Sequence, residues 1–240
     1  MSKAFSLPFI KKEQVAVDTW SYFFDKSSVA YDFLPGQYNR VSLPVSATDG
    51  LGNSRMFTIA SSPEEKYLMV TSRRGVSDFK NALFALTPGT PVQFFGPLGG
   101  FTILQNDLTH HVLLAGGIGI TPFHSMLVFA SQKKLKTPLT LLASSPTVEE
   151  MVFYHELMDL QSQNKQITTV YTVTRSEGLL WQGEKGRISK EMIKKYVGDI
   201  SKPVYMVSGS PAFVEGMVTK LHEELKIEEE YIRVDQFTGY

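Results

Sequence analysis

Residues 55–63 read RMFTIASSP, a β-strand running into a turn, but one that opens with an arginine among apolar neighbours. Side chains alternate along a strand, so Arg55, Phe57, Ile59 and Ser61 share one face, and Met56, Thr58 and Ala60 share the other. A guanidinium beside an aromatic ring suits a flat, anionic ligand. It equally suits a structural role, with the arginine stem covering the ring and its head in water. The second chemically suggestive stretch is AGGIGITP, residues 115–122. Gly116, Gly117 and Gly119 allow a tight turn and close approach of a ligand to the backbone. Thr121 reads as an N-cap and Pro122 as the first helical residue, which leaves free N–H groups and a positive dipole end for a diphosphate. The spacing is not GxGxxG, and taken alone it fits a bare strand-to-helix turn as well as a dinucleotide site.

These two stretches sit in halves with different patterns. Up to about residue 105 the chain is a series of short alternating runs (QVAVDTWSYFFD, YDFLPGQYNRVSLPV, RMFTIASSP, KYLMVTSRR, TPVQFFGPLGGF) broken by Pro, Gly, Asn, Asp and Ser. That spacing predicts an antiparallel β-barrel, with SDFKNALFAL as its one helix. From His110 onward, short apolar runs (HVLLAGG, PLTLLASS, ITTVYTVT, PVYMVSG) alternate with helical ones (PFHSMLVFASQKK, EEMVFYHELMDLQ, ISKEMIKKYV, SPAFVEGMVTKLHEEL). Strand-then-helix repetition predicts a parallel sheet covered on both faces, with ligands at the carboxyl ends of its strands. The expected fold is therefore a β-barrel domain over 1–105 followed by an α/β domain over 106–240.

Composition narrows the chemistry. Lys plus Arg number 24 and Asp plus Glu number 24 in 240 residues, so bulk charge gives no reason to expect nucleic acid or a membrane surface as partner. There are no cysteines, which excludes disulfides, thiolate catalysis and Cys-ligated iron–sulfur centres and leaves redox work to an organic cofactor. The five histidines lack metal-site spacing, and no metal is expected. With neither a signal-peptide core nor a run of about 18 apolar residues, the expected compartment is the cytoplasm.

The order FLPGQY, RMFTIASS, RRGVSDFKNAL, FFGPLGGF, AGGIGITP and VSGSPAFV resembles the ferredoxin–NADP reductase superfamily, in which a flavin-binding barrel is joined to a pyridine-nucleotide α/β domain. The resemblance runs from about residue 10 to the C-terminus. It implies FAD as cofactor and NADPH or NADH as substrate. Arg55, Phe57 and Thr58 fall on the family's Arg-x-Tyr-Ser motif, so Arg55 would pair with the flavin diphosphate, Phe57 would stack near the isoalloxazine and Thr58 would approach its N5 edge. Gly75, Val76 and Ser77 match a second phosphate segment, with Ser77 as helix N-cap. Gly116, Gly117, Gly119 and Thr121 match the nucleotide-binding turn.

Ser208, Gly209 and Ser210 fall on the family's Cys-Gly-x-Pro segment beside the nicotinamide, with Ser in place of Cys. Arg175 and Arg187 match positions that contact a 2′-phosphate in NADPH-using relatives. Tyr240, the terminal aromatic, would cover the flavin, while Phe237 would simply pack. Arg73 and Arg74 precede the phosphate segment and could face FAD or an acidic partner. The implied activity is hydride transfer from NAD(P)H to flavin N5, with electrons passed to a separate ferredoxin, flavodoxin or oxygenase component. The alternatives are reduction of free flavin or a small molecule, and a non-catalytic flavin- or nucleotide-binding module.

Overall fold

The computed structural model describes residues 2–45, 48–50, 52–103, 107–175 and 180–237. The first half is a six-stranded antiparallel sheet made of β1 (Lys3–Ala16), β2 (Thr19–Asp25), β3 (Tyr38–Ser42), β4 (Ser54–Thr58), β5 (Tyr67–Arg73) and, after helix α1 (Asp78–Phe84), β6 (Pro91–Leu98), in the order β4-β3-β6-β1-β2-β5. Its ends meet just past β4. There the Ala60 amide donates to the Met69 carbonyl at 2.8 Å, and the Met69 amide donates to Ser61 Oγ at 3.0 Å. The closed sheet encloses Leu7, Tyr22, Phe24, Val41, Ile59, Leu68 and Phe94, all buried.

The second half is a parallel sheet flanked by helices on both faces. Its elements are β7 (His111–Gly116), a 3₁₀ turn (Gly117–Ile120), α2 (Thr121–Gln132), β8 (Leu139–Ser145), α3 (Tyr154–Gln163), β9 (Ile167–Val173), β10 (Glu184–Lys185), α4 (Lys190–Val197), β11 (Val204–Gly209), α5 (Pro211–Thr219) and β12 (Ile232–Gln236). The strand order is β10-β9-β8-β7-β11-β12. Successive residues of β7 face opposite layers. Leu113 and Ala115 pack with Phe123, Met126 and Leu127 of α2, and Val112 and Leu114 pack with residues of α4 and α5. From β7 the chain steps to β8 on one side and only later to β11 on the other. The crevice at which such a sheet binds ligands therefore opens between β7 and β11. The core on the α2 side also takes in Phe23, Ala60 and Met69 of the barrel, so the two halves share apolar contacts.

Four features differ from the sequence-based expectation. QVAVDTWSYFFD is two strands: Ala16 pairs with Thr19, and the connection passes through Asp18 at φ +50°. β1 starts at Lys3, well before the expected first strand. Register shifts between Phe9 and Lys11 and between Gln14 and Ala16 break the alternation that would reveal it, as a bulge does. β12, an exposed sheet edge, carries little apolar signal. Thr121 is not the N-cap. The helical path begins with the 3₁₀ turn at Gly117, capped by extended Gly116, and Thr121 is the first residue of α2, its hydroxyl donating back to the Ile118 carbonyl at 3.1 Å.

Candidate functional site

A cavity of about 660 Å³ lies where the open edge of the barrel meets the carboxyl ends of the parallel strands. One wall is β4. Arg55 through Thr58 all reach the cavity, which runs along the free edge of this sheet-terminal strand. That placement resolves the parity of the strand: both of its faces border the same space. Arg55 is 4% exposed, and its Nη1 donates to the carbonyls of Gly52 at 3.0 Å and Ser54 at 2.8 Å. Its guanidinium carbon stands 5.2 Å from the Phe79 ring centre, and Phe57 stacks on the same ring with centroids 5.9 Å apart. Cation and aromatic thus share one face, as the alternation requires, and α1 supplies the ring between them.

Two further barrel cations, Arg73 at the end of β5 and Lys80 on α1, line this space. Burial, then repulsion from Arg55 and Arg73, lowers the Lys80 pKa, the sign of positive charge gathered in one place. The opposite wall is the turn between β7 and α2, with Gly116, Gly117, Ile118 and Thr121 facing in. Gly117 holds φ +55°, a left-handed conformation that favours glycine. Ser144, Ser145, Pro146 and Thr174 extend this wall along the ends of β8 and β9.

The remaining wall comes from the start of α5 and the end of the described chain. Ser210 caps α5 by accepting from the Phe213 amide at 3.3 Å, and both residues line the cavity with Asp235, Gln236 and Phe237. The Phe237 amide donates to the Gly209 carbonyl at 2.9 Å, which fixes the aromatic at the crevice. Burial pushes the Asp235 carboxyl up to about 6.

Of the residues singled out from sequence, the cavity brings together Arg55, Phe57, Thr58, Gly116, Gly117, Thr121 and Ser210. Gly119 and Ser208 stand behind it. A Cβ on Gly119 would fall 2.3 Å from the Ser208 carbonyl oxygen, so this glycine serves close packing of turn on strand. Ser208 is fully buried, and its Oγ has no hydrogen-bond partner among the described residues. Gly209 is held by Phe237 and is not part of the wall.

Gly75, Val76 and Ser77 also stand off the wall. Val76 is 96% exposed, Ser77 caps α1 by accepting from the Lys80 amide at 3.3 Å, and the Asp78 amide donates to the Asp49 carboxylate at 3.0 Å. Arg175 and Arg187 are exposed and do not line the cavity. Tyr240 lies outside the described residues. Phe237, expected only to pack, is a wall residue, whereas Arg74 turns away and sits 3.7 Å over the Phe84 ring. Lys80, Phe213 and Asp235 carried no sequence signal of their own, because only the fold brings them to the crevice.

Residues 113–219 match the family model of the oxidoreductase NAD-binding domain. The barrel that precedes this domain completes a fold shared with solved reductases of the flavin- and nucleotide-binding kind. The fold resembles the flavohem-like FAD/NAD-binding domain of nitric oxide dioxygenase from Vibrio cholerae (TM-score 0.83, 16% identity, covering 97% of this chain and 98% of that one). It also resembles a ferredoxin NADP+ reductase from Neisseria gonorrhoeae with bound FAD and NADP (TM-score 0.76, 19% identity, 98% of each chain). In sequence it is 24% identical over 208 residues to the glycine betaine monooxygenase reductase subunit of Chromohalobacter salexigens, covering 82% of this chain and 56% of that protein. The chain spans about half the length of the curated relatives it matches. No helix among the described residues is long and apolar enough to cross a membrane.

Proposed function

We propose that the chain is an NAD(P)H-dependent FAD reductase that passes electrons to another redox centre. The observation that carries this reading is one cavity that has a buried arginine and an aromatic stack on its barrel wall and a glycine turn at a parallel-sheet switch point on the other. The donor set fits the two cofactors. Arg55 and Lys80 offer cations to a flavin diphosphate, and Gly116, Gly117 and Thr121 offer backbone amides and a hydroxyl to a nucleotide diphosphate.

A flavin held here would supply the two-electron chemistry with a nicotinamide and the one-electron chemistry with an acceptor. The chain's own part is to orient and enclose. Phe57 and Thr58 would border a flavin, Ser208, Gly209, Ser210 and Phe213 would shape the nicotinamide end, and Phe237 and Tyr240 are the aromatics that would cover the ring. Asp235, its carboxyl raised by burial, would hold or yield a proton at the cavity wall. Gly75, Val76, Ser77 and Gly119 support the two phosphate-binding turns. Arg175 and Arg187 are the candidates for reading a 2′-phosphate. The flavin half ends near residue 105 and the nucleotide half begins near 106.

With no cysteine in the chain, the acceptor is another centre of the ferredoxin, flavodoxin or oxygenase-component kind, a reading supported by the relative named as a monooxygenase reductase subunit. Anaerobic stopped-flow absorbance tests the proposal. Purified yellow protein is expected to bleach within seconds of mixing with NADH or NADPH, and the ratio of the two rates reports whether Arg175 and Arg187 discriminate. A flavin that stays oxidised with both would return the chain to the class of non-catalytic binding modules.

A further inference from the structure

Ala60 and Ser61, two and three residues past Thr58, serve two sets of contacts at once. They close the barrel onto β5, where the Ala60 amide donates to the Met69 carbonyl and Ser61 Oγ accepts from the Met69 amide. Their own carbonyls are taken by the other half of the molecule. His124 Nδ1 donates to Ala60 at 2.7 Å and Ser125 Oγ donates to Ser61 at 2.6 Å. A carbonyl only accepts, so Nδ1 carries the proton. Both donors belong to α2, and both are buried. The imidazole is held on its other side by the Phe153 ring, with centroids 4.0 Å apart, and by Glu156, 3.1 Å from Nε2. At the far end of α2 the same barrel segment is met again, as Ser62 Oγ donates to Gln132 Oε1 at 2.5 Å and Lys133 pairs with Glu64 at 2.6 Å. The buried pair stands near both walls of the cavity. Thr121 lines it one helical turn before His124, about 5 Å along the axis. Thr58 lines it two residues before Ala60, at most about 7 Å of chain.

We propose that His124 and Ser125 are positioning residues for hydride transfer, which grip the seam of the barrel and so set the flavin wall on β4 against the nucleotide turn after β7. The inference rests on the functional reading given above. Neither side chain lines the cavity, so both act through the backbone they hold. The apolar contacts between the halves, such as Met126 and Phe123 of α2 against Gly36 and Phe101, are non-directional and tolerate a small slide of helix on barrel. Two side-chain bonds to successive carbonyls do not, because each fixes a distance and an angle. Hydride transfer is the step that needs such a register, since reacting atoms must approach to about 3–3.5 Å with aligned orbitals. Nucleotide binding depends on it far less, because the glycine turn belongs to one half alone.

The test is single-turnover stopped-flow reduction of the FAD-loaded protein over a range of NADH and NADPH concentrations, which separates the limiting rate from the half-saturating concentration. Two substitutions divide the histidine's contacts, because the amide nitrogen of Asn stands where Nδ1 stood and that of Gln where Nε2 stood. His124→Gln is expected to lower the limiting rate roughly 10- to 100-fold while the half-saturating concentration stays within about twofold of wild type. His124→Asn keeps the bond to Ala60 and should recover most of that loss. Ser125→Ala removes one hydroxyl and should slow the step by a smaller factor, and it decides the matter if a histidine variant does not fold. A purely structural role would lower FAD content and thermal midpoint while the loaded fraction is still reduced at the wild-type limiting rate, and that result overturns the proposal. So does an Asn variant as slow as the Gln variant, which would remove the Ala60 bond as the cause. Wild-type flavin that neither nucleotide reduces would overturn the functional reading itself, a result separable from both.

Discussion

Asp235 is the one carboxylate, among the described residues, in a cavity wall that also holds Arg55, Arg73 and Lys80, yet burial still drives its pKa up to about 6. The raised value means that folding favours the neutral acid. Its contribution to stability is full below the ordinary aspartate range and is lost as pH rises through about 6. The gap from an ordinary 3.8 corresponds to roughly 2–3 kcal/mol of destabilisation at neutral pH. Asp235→Asn should therefore raise the unfolding free energy read from urea at about pH 7.5 by close to that amount and change it little at about pH 3.5, and it should slow flavin turnover if the carboxyl moves a proton. Equal stabilisation at both pH values would show that charge is not the cause. Arg55 and Phe57 were legible from sequence because strand alternation is a local rule. Asp235 was not, because its environment is assembled from strands more than a hundred residues apart.

The turn from β7 into α2 shows what an element-level reading captures and what it misses. Three glycines marked the connection, but their spacing did not say which one faces a ligand and which one packs. Gly117 lines the cavity, whereas Gly119 lies against the backbone of β11. Gly119→Ala would force a methyl group to within 2.3 Å of the Ser208 carbonyl, a clash with backbone that no rotamer relieves. The expected cost is about 1–3 kcal/mol, read from chemical denaturation, with weaker nucleotide binding as the turn shifts. A fully stable Gly119→Ala protein would mean that β11 can move away from the turn. The parallel strands announced themselves as unbroken apolar runs, which follows from burial on both faces. β1 did not, because its register shifts spoil the period and its two ends pair with different neighbours, β6 and β2.

At the scale of the whole molecule, α2 ties the nucleotide half to the barrel just beyond the Arg55 strand. His124 Nδ1 meets the Ala60 carbonyl at 2.7 Å, Ser125 Oγ donates to the Ser61 carbonyl at 2.6 Å, and His124 Nε2 faces Glu156 at 3.1 Å. Burial works against the His124 cation, but Glu156 and the Ala60 carbonyl outweigh it, and the pKa is raised. Burial likewise opposes the Glu156 anion, and His124 more than offsets it, so that pKa is lowered. The histidine's contribution is full below its ordinary range and fades as pH rises through its raised value. The glutamate's is full above its ordinary range and fades as pH falls through its lowered value. The latch is therefore strongest at about pH 5–6. Glu156 is 55% exposed, so solvent limits its share to about 0.5–1 kcal/mol. Glu156→Gln should lower the unfolding free energy by that much at about pH 5.5 and by less at about pH 8.5, and a pH-independent difference would rule out titration of the pair.

The pairing of Lys3 with Gly96 also sets an order of events during synthesis. β1 has to wait for β6 before half its length finds a partner, so the barrel's apolar interior stays open until the chain has been made through Leu98. β7 likewise waits for β11, since Val204 pairs with His111. The chain closes twice, barrel first and parallel sheet second. The cleft between them cannot exist until the second closure is complete, so a polypeptide halted after the barrel would carry Arg55 and Phe57 on a finished wall with nothing opposite.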